Sequence, residues 1–128
     1  MNVLDENVPE DQRAILGAKR VRVRQIGLDL GRAAMKDEDL IRLLHRLDRP
    51  TFFTLDFDFY QRHWRNERYC LVYLNIDEDV VAEYIIRVLR HRELNTKVKR
   101  MGTIVRVTPR GLNVWRVRKE REDRLAWM

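Results

Sequence analysis

"TFFTLDFDF", residues 51–59, decides how the rest of the chain is read. Thr51 to Leu55 form an unbroken β-branched and aromatic run, the pattern of a central parallel strand covered on both faces. The run stops at Asp56 and Asp58. Ligands of open α/β sheets bind beyond the carboxyl ends of the strands. Two acids at that point therefore pose a choice between a solvated turn and a metal site.

Upstream, Asn2 to Leu4 read as a very short apolar strand ending at Asp5. Pro9 suits the first turn of a helix, with Asn7 and Glu10 spaced as a capping box and Gly17 as its end. Lys19 to Ile26 alternates Val and Arg at period two, which predicts a half-buried strand. "GLDLGRAAM" is a loop. Asp37 is placed to cap a helix whose apolar positions Leu40, Ile41, Leu43, Leu44 and Leu47 follow helical spacing; Pro50 stops it.

Downstream, "YCLVYLNI" (69–76) is a second buried strand. "DEDVVAEYIIRVLRH" starts with acids at the positive end of a helix and carries a clear amphipathic face from Val80 to Leu89. "TIVRV" and "LNVWRV" flank "TPRG" as a hairpin with a Pro-initiated turn. The last residues read as a charged tail of helical character. The alternation of strands and helices predicts an α/β fold with a mainly parallel central sheet, helices on both faces and a C-terminal β-hairpin. The expected organisation is one domain over residues 1–116 and a tail over 117–128.

The 128 residues are 45% hydrophobic and 36% charged, a globular composition. No apolar stretch reaches the length of a membrane helix, and no signal peptide is expected at the start. The single Cys70, inside an apolar run, fits a reducing, cytoplasmic setting. His45, His63 and His91 lack zinc-ligand spacing. The net charge of +6 is uneven: from Lys97 onward ten Lys/Arg face three acids, net +7, leaving residues 1–96 at −1. A basic C-terminal third suits a polyanion such as nucleic acid, and equally a solvated basic surface.

Asp5 and Asp56 each lie one residue past a strand. If those strands are parallel neighbours, both carboxylates emerge on one edge, with Asp58 in the same turn and Asp37 at the start of a helix nearby. At ~5 Å, one such pair costs roughly 3 kcal/mol at an effective dielectric near 20. Either some acids are protonated or a divalent cation holds them. Oxygen-only ligands favour Mg²⁺ or Mn²⁺ over zinc. Taken singly, each acid also has an ordinary role as helix cap or Asx turn, so the spacing leaves both readings open.

The order "VLDENVP", "VRQIGLDL" with "KDEDLIRLL", then "FFTLDFDF" resembles the PIN-like family of small prokaryotic proteins. That family is related to the C-terminal ribonuclease domain of the Mut-seven exonucleases and more distantly to VapC-type toxins. The resemblance covers residues 2 to 110. It implies a PIN-like three-layer α/β/α fold and metal-dependent cleavage of RNA phosphodiester bonds. Carried over, the matching acids are Asp5, Asp37, Asp56 and Asp58, with Asp5, Asp56 and Asp58 as metal ligands and Mg²⁺ or Mn²⁺ as cofactor. Asn7 matches as a supporting residue that orients Asp5 or a metal-bound water. Arg24 matches as a phosphate contact, although an exposed strand residue is the favoured reading. The chain departs from the family pattern in a shorter segment after Asn7, in "AKR" before the second strand, and in Phe57, where a basic residue is frequent. The implied function is an endoribonuclease, including the toxin half of a toxin–antitoxin pair. The expected partners are RNA, an antitoxin protein and a second copy docked on the hairpin, with no membrane. Trp64, Trp115 and Tyr60 are read as packing residues before base-stacking ones. The reading from another class is a non-catalytic binding or assembly protein in which the acids are caps and turns.

Overall fold

The computed structural model describes residues 1–127. Its elements are β1 (Asn2–Leu4), α1 (Glu10–Ala18), β2 (Arg24–Gln25), α2 (Asp37–Arg46), β3 (Thr51–Thr54), β4 (Cys70–Leu74), α3 (Val81–Arg90), α4 (Lys97–Arg100), β5 (Thr103–Thr108), β6 (Gly111–Arg116) and β7 (Asp123–Leu125). The seven strands form one sheet in the order β2-β1-β3-β4-β5-β6-β7. Strands β2 to β5 of that order pair in parallel, and β5-β6-β7 antiparallel. The chain is thus α/β, with a parallel half extended by an antiparallel one.

The double coverage of β3 follows from its alternation. Phe53 points to one face, where α1 and α3 bury Leu16, Val81, Ile85 and Val88 against Leu4, Val72 and Val105. Phe52 points to the other, where α2 buries Leu40, Ile41 and Leu44 against Val3, Leu71 and Ile104. Both phenylalanines are fully buried, which is why this strand reads as continuous apolar sequence and not as an alternating one. Gln12 of α1, itself buried, accepts a 2.9 Å hydrogen bond from the Ala82 amide at the start of α3. That bond satisfies one of the orphan donors of a helix start. No helix among the described residues is long and apolar enough to cross a membrane.

Four local expectations differ from the structure. The Val/Arg alternation of residues 19–26 yields only a two-residue strand, Arg24–Gln25, because β1 offers it only Val3 and Leu4 as partners; Val21 and Val23 pack against the core without a ladder. The Asn7 capping box is not made. Pro9 occupies the cap position with no side-chain bond, because a turn closed by Val8 N–H to the Asp5 carbonyl leaves Asn7 exposed. Asp37 is the first residue of α2, after Lys36 in the cap position, and makes no cap bond. The tail is not helical where it is ordered into the sheet: Asp123–Leu125 add β7 to the open edge of β6. Residue 128 of the expected tail lies outside the described residues.

Candidate metal centre

The parallel register of β1 and β3 aligns Leu4 with Phe53. The next residues, Asp5 and Thr54, therefore lie side by side at the carboxyl end of the sheet. Asp5 N–H donates to the Phe53 carbonyl at 2.9 Å, which carries the pairing one residue further. The Thr54 hydroxyl donates to Asp5 Oδ2 at 2.6 Å and accepts from Asp56 N–H at 2.9 Å. One buried hydroxyl thus ties a carboxylate of β1 to the backbone of the loop that follows β3.

Asp56 opens a short 3₁₀ turn, Phe57–Phe59, and its Oδ1 accepts the Asp58 amide at 2.8 Å. This is an Asx turn, the ordinary structural role of an aspartate in this position. It also folds Asp58 back beside Asp56. Asp37 reaches the same place from the first turn of α2. Carboxylate oxygens of Asp37, Asp56 and Asp58 lie within 4.8 Å of one another.

Asp37 gets there because the loop before α2 is pinned to the loop after β1. Both oxygens of Glu6 accept the Ala34 amide, at 2.9 and 3.2 Å. Ala34 has φ +56°, a left-handed conformation that costs a non-glycine residue roughly 1 kcal/mol, and this bond helps to hold it. On the other side, Gln25 Nε2 donates to the carbonyls of Asp5 and Val8 at 3.1 and 2.9 Å, fixing the turn that carries Asp5.

The electrostatics follow from burial and crowding. Asp5 is 8% exposed. Desolvation pushes its carboxyl above the ordinary range, the Thr54 hydroxyl and the Glu6 amide oppose this, and the charge of Asp56 adds to the rise. Asp37 is raised as well, by desolvation first and then by Asp56, Asp58 and Glu38. At the separations within the triad, each pair of charges costs between about 1 kcal/mol in water and roughly 3 kcal/mol at an effective dielectric near 20. The open position of Asp58 favours the lower figure.

Of the residues singled out from the sequence, Asp37, Asp56 and Asp58 converge most closely, and Asp5 adjoins them through Thr54. Asn7 stands exposed in the turn after Asp5. Arg24 is exposed on β2 and lines a separate groove of about 1040 Å³ with Arg13, Arg20 and Arg22, beside Met1 and Asn2 at the opposite, amino end of β1. Trp115 packs under the guanidinium groups of Arg62 and Arg65, and the Tyr60 hydroxyl donates to Glu122. Thr54 and Glu6 lie within the motifs quoted from the sequence, where alternation points Glu6 away from Asp5, but the sequence reading assigns neither a role. The signal for Thr54 was local: a hydroxyl two residues before Asp56 is an ST-turn spacing. For Glu6, only the fold could supply its partner 28 residues away.

The donor set is all carboxylate oxygen, which is the chemistry of a hard divalent cation such as Mg²⁺ or Mn²⁺. The ligand oxygens already lie in a cluster, so the residues present fit such an ion. Searches against protein-family models, curated proteins and solved structures return no match to this chain.

Proposed function

We propose that the protein is a Mg²⁺- or Mn²⁺-dependent nuclease of PIN-like fold that hydrolyses RNA. The observation that carries this reading is the convergence of Asp37, Asp56 and Asp58 within 4.8 Å at the carboxyl end of a parallel sheet, with Asp5 alongside. Caps and turns explain Asp56 alone. The positive end of α2 also suits an acid at Asp37, but that does not explain why its carboxylate is held against those of Asp56 and Asp58 at an electrostatic cost.

Asp37, Asp56 and Asp58 would hold the cation. When bound, it supplies neutralising charge and Lewis-acid polarisation of a phosphodiester oxygen. Asp5 contributes fixed negative charge behind the cluster. Its second oxygen is oriented by the Glu6 amide at 2.8 Å. Thr54 sets the spacing between Asp5 and the Asp56 loop. Glu6 and Gln25 hold the two loops that bring the acids together, so they position residues without contacting substrate.

The test is Mn²⁺ binding followed by electron paramagnetic resonance, beside cleavage of a labelled single-stranded RNA. Asp56→Asn and Asp58→Asn should each weaken Mn²⁺ binding at least tenfold, about 1.4 kcal/mol, and abolish cleavage while the protein stays folded. Cleavage at the wild-type rate in either variant overturns the reading. Tight Mn²⁺ binding without cleavage of any RNA would leave the acids a structural metal site in a binding protein.

A further inference from the structure

The acids stand at one end of a row that crosses the sheet. Register pairs Thr54 with Tyr73, Tyr73 with Arg106, Arg106 with Asn113, and Asn113 with Arg124. Paired residues share a face, so these side chains line one face from β3 to β7. Strands are spaced about 4.8 Å apart, so the row runs roughly 19 Å from Thr54 to Arg124. It is acidic where it begins, aromatic next, and basic at the far end.

The aromatic part is Phe57. It lies between Asp56 and Asp58, with its ring edge-on to Tyr73 at 5.5 Å. Phe59, two residues on, is buried, whereas Phe57 is 54% exposed. The basic part is a cavity of about 400 Å³ lined by Arg106, Arg110, Arg124, Thr108 and Asn113. Arg106 Nε is buried and makes no hydrogen bond among the described residues. None of these three arginines has an acid within 4.0 Å among the described residues. The neighbouring acid, Glu122, already accepts from Tyr60 and from Asn113 Nδ2. A buried donor with no partner, in a cavity of unpaired guanidinium groups, is matched to an anionic oxygen.

We infer that this row is the binding path of a single-stranded nucleic acid, with one base stacked on Phe57 and backbone phosphates on Arg106, Arg110 and Arg124. The inference deepens the nuclease reading and rests on it for where the cleaved phosphate lies. A base on Phe57 sets the adjoining phosphate beside Asp56 and Asp58. Stacking needs an unpaired base with a free face, so a duplex fits poorly. An acidic peptide would satisfy the arginines but gains nothing from the ring.

The test is fluorescence anisotropy in EDTA, with a labelled single-stranded RNA of about 12 nucleotides, the same sequence as a duplex, and an oligoglutamate peptide of similar length. The wild type should prefer the single strand to the duplex by at least tenfold, about 1.4 kcal/mol. Phe57→Leu should weaken single-strand binding by about 5- to 150-fold with the salt dependence unchanged, and Phe57→Tyr should restore it. Replacing Arg106, Arg110 and Arg124 together by Ala should reduce the slope of log K against log salt by about 2. Wild-type binding by Phe57→Leu, equal affinity for the duplex, or equal affinity for oligoglutamate overturns the path. No step requires metal or cleavage. Normal RNA binding with no acid-dependent cleavage would therefore remove the nuclease reading alone, whereas acid-dependent cleavage with unaltered binding by Phe57→Leu would remove the path alone.

Discussion

Replacing Thr54 by Val removes one hydroxyl and little else. The side chain is fully buried, and valine keeps the shape and the strand preference of threonine. Two bonds are lost: the 2.6 Å bond donated to Asp5 Oδ2 and the 2.9 Å bond accepted from Asp56 N–H. A hydrogen bond to a charged group is worth about 1.5–3 kcal/mol, and an unsatisfied buried donor costs about 1–3 kcal/mol. The Asp56 amide is only partly buried and water can replace its partner, which favours a total of about 2–4 kcal/mol at pH 7. For a chain of this size that lowers Tm by on the order of 10 °C. Chemical denaturation of Thr54→Val, Asp5→Asn and the double variant isolates the interaction. With a neutral amide at position 5, losing the hydroxyl should cost only about 0.5–1.5 kcal/mol, giving a coupling of about 1.5–2.5 kcal/mol. The same hydroxyl holds the Asp5 carboxyl down against desolvation. Removing it raises the folded-state value further, so the penalty is complete above that value and shrinks as pH falls towards the ordinary carboxylate range. A cost that is the same with and without Asp5→Asn, or the same at pH 7 and pH 4, would refute the account of Thr54 as the tie between the two loops.

Asp37→Asn should stabilise the metal-free protein at neutral pH, because the folded state raises this carboxyl by desolvation and by the charges of Asp56 and Asp58. A raised folded value means that stability falls as pH climbs from the ordinary carboxylate value to the folded one; in melts across that range, Asp37→Asn should flatten the decline, and an identical pH profile would contradict it. Saturating Mn²⁺ should reverse the crowding and raise Tm, by about 2.7 kcal/mol of stability at a hundredfold excess over Kd, and Asp58→Asn should remove most of that rise. Cys70 is fully buried and its thiol is pushed up to about 11, so it should react with a thiol reagent only when the chain unfolds; rapid labelling of the native protein would show that β4 opens locally.

Much of the fold is local in origin and legible without coordinates. The doubly covered strands around Phe52–Phe53 and Leu71–Val72, the amphipathic faces of α2 and α3, and the β5-β6 hairpin each follow from hydrophobic periodicity or turn chemistry within a single segment. The same holds for Asp56 and Asp58, whose proximity is set by an Asx turn between residues two apart.

What the sequence by itself determined, then, was most of the elements and the acids at their ends, because periodicity and turn spacing act over a few residues. Only the tertiary structure decided which ends meet. Thr54 joins Asp5 across 49 residues, Glu6 reaches Ala34, and the Tyr73–Arg106–Asn113–Arg124 row exists solely through strand register. The same is true of the strands that failed or appeared: residues 19–23 lacked a partner for their alternating pattern, and the charged segment at Asp123–Leu125 found one on β6. A strand is stable only when its backbone groups are paired, and the partner is chosen by the whole fold.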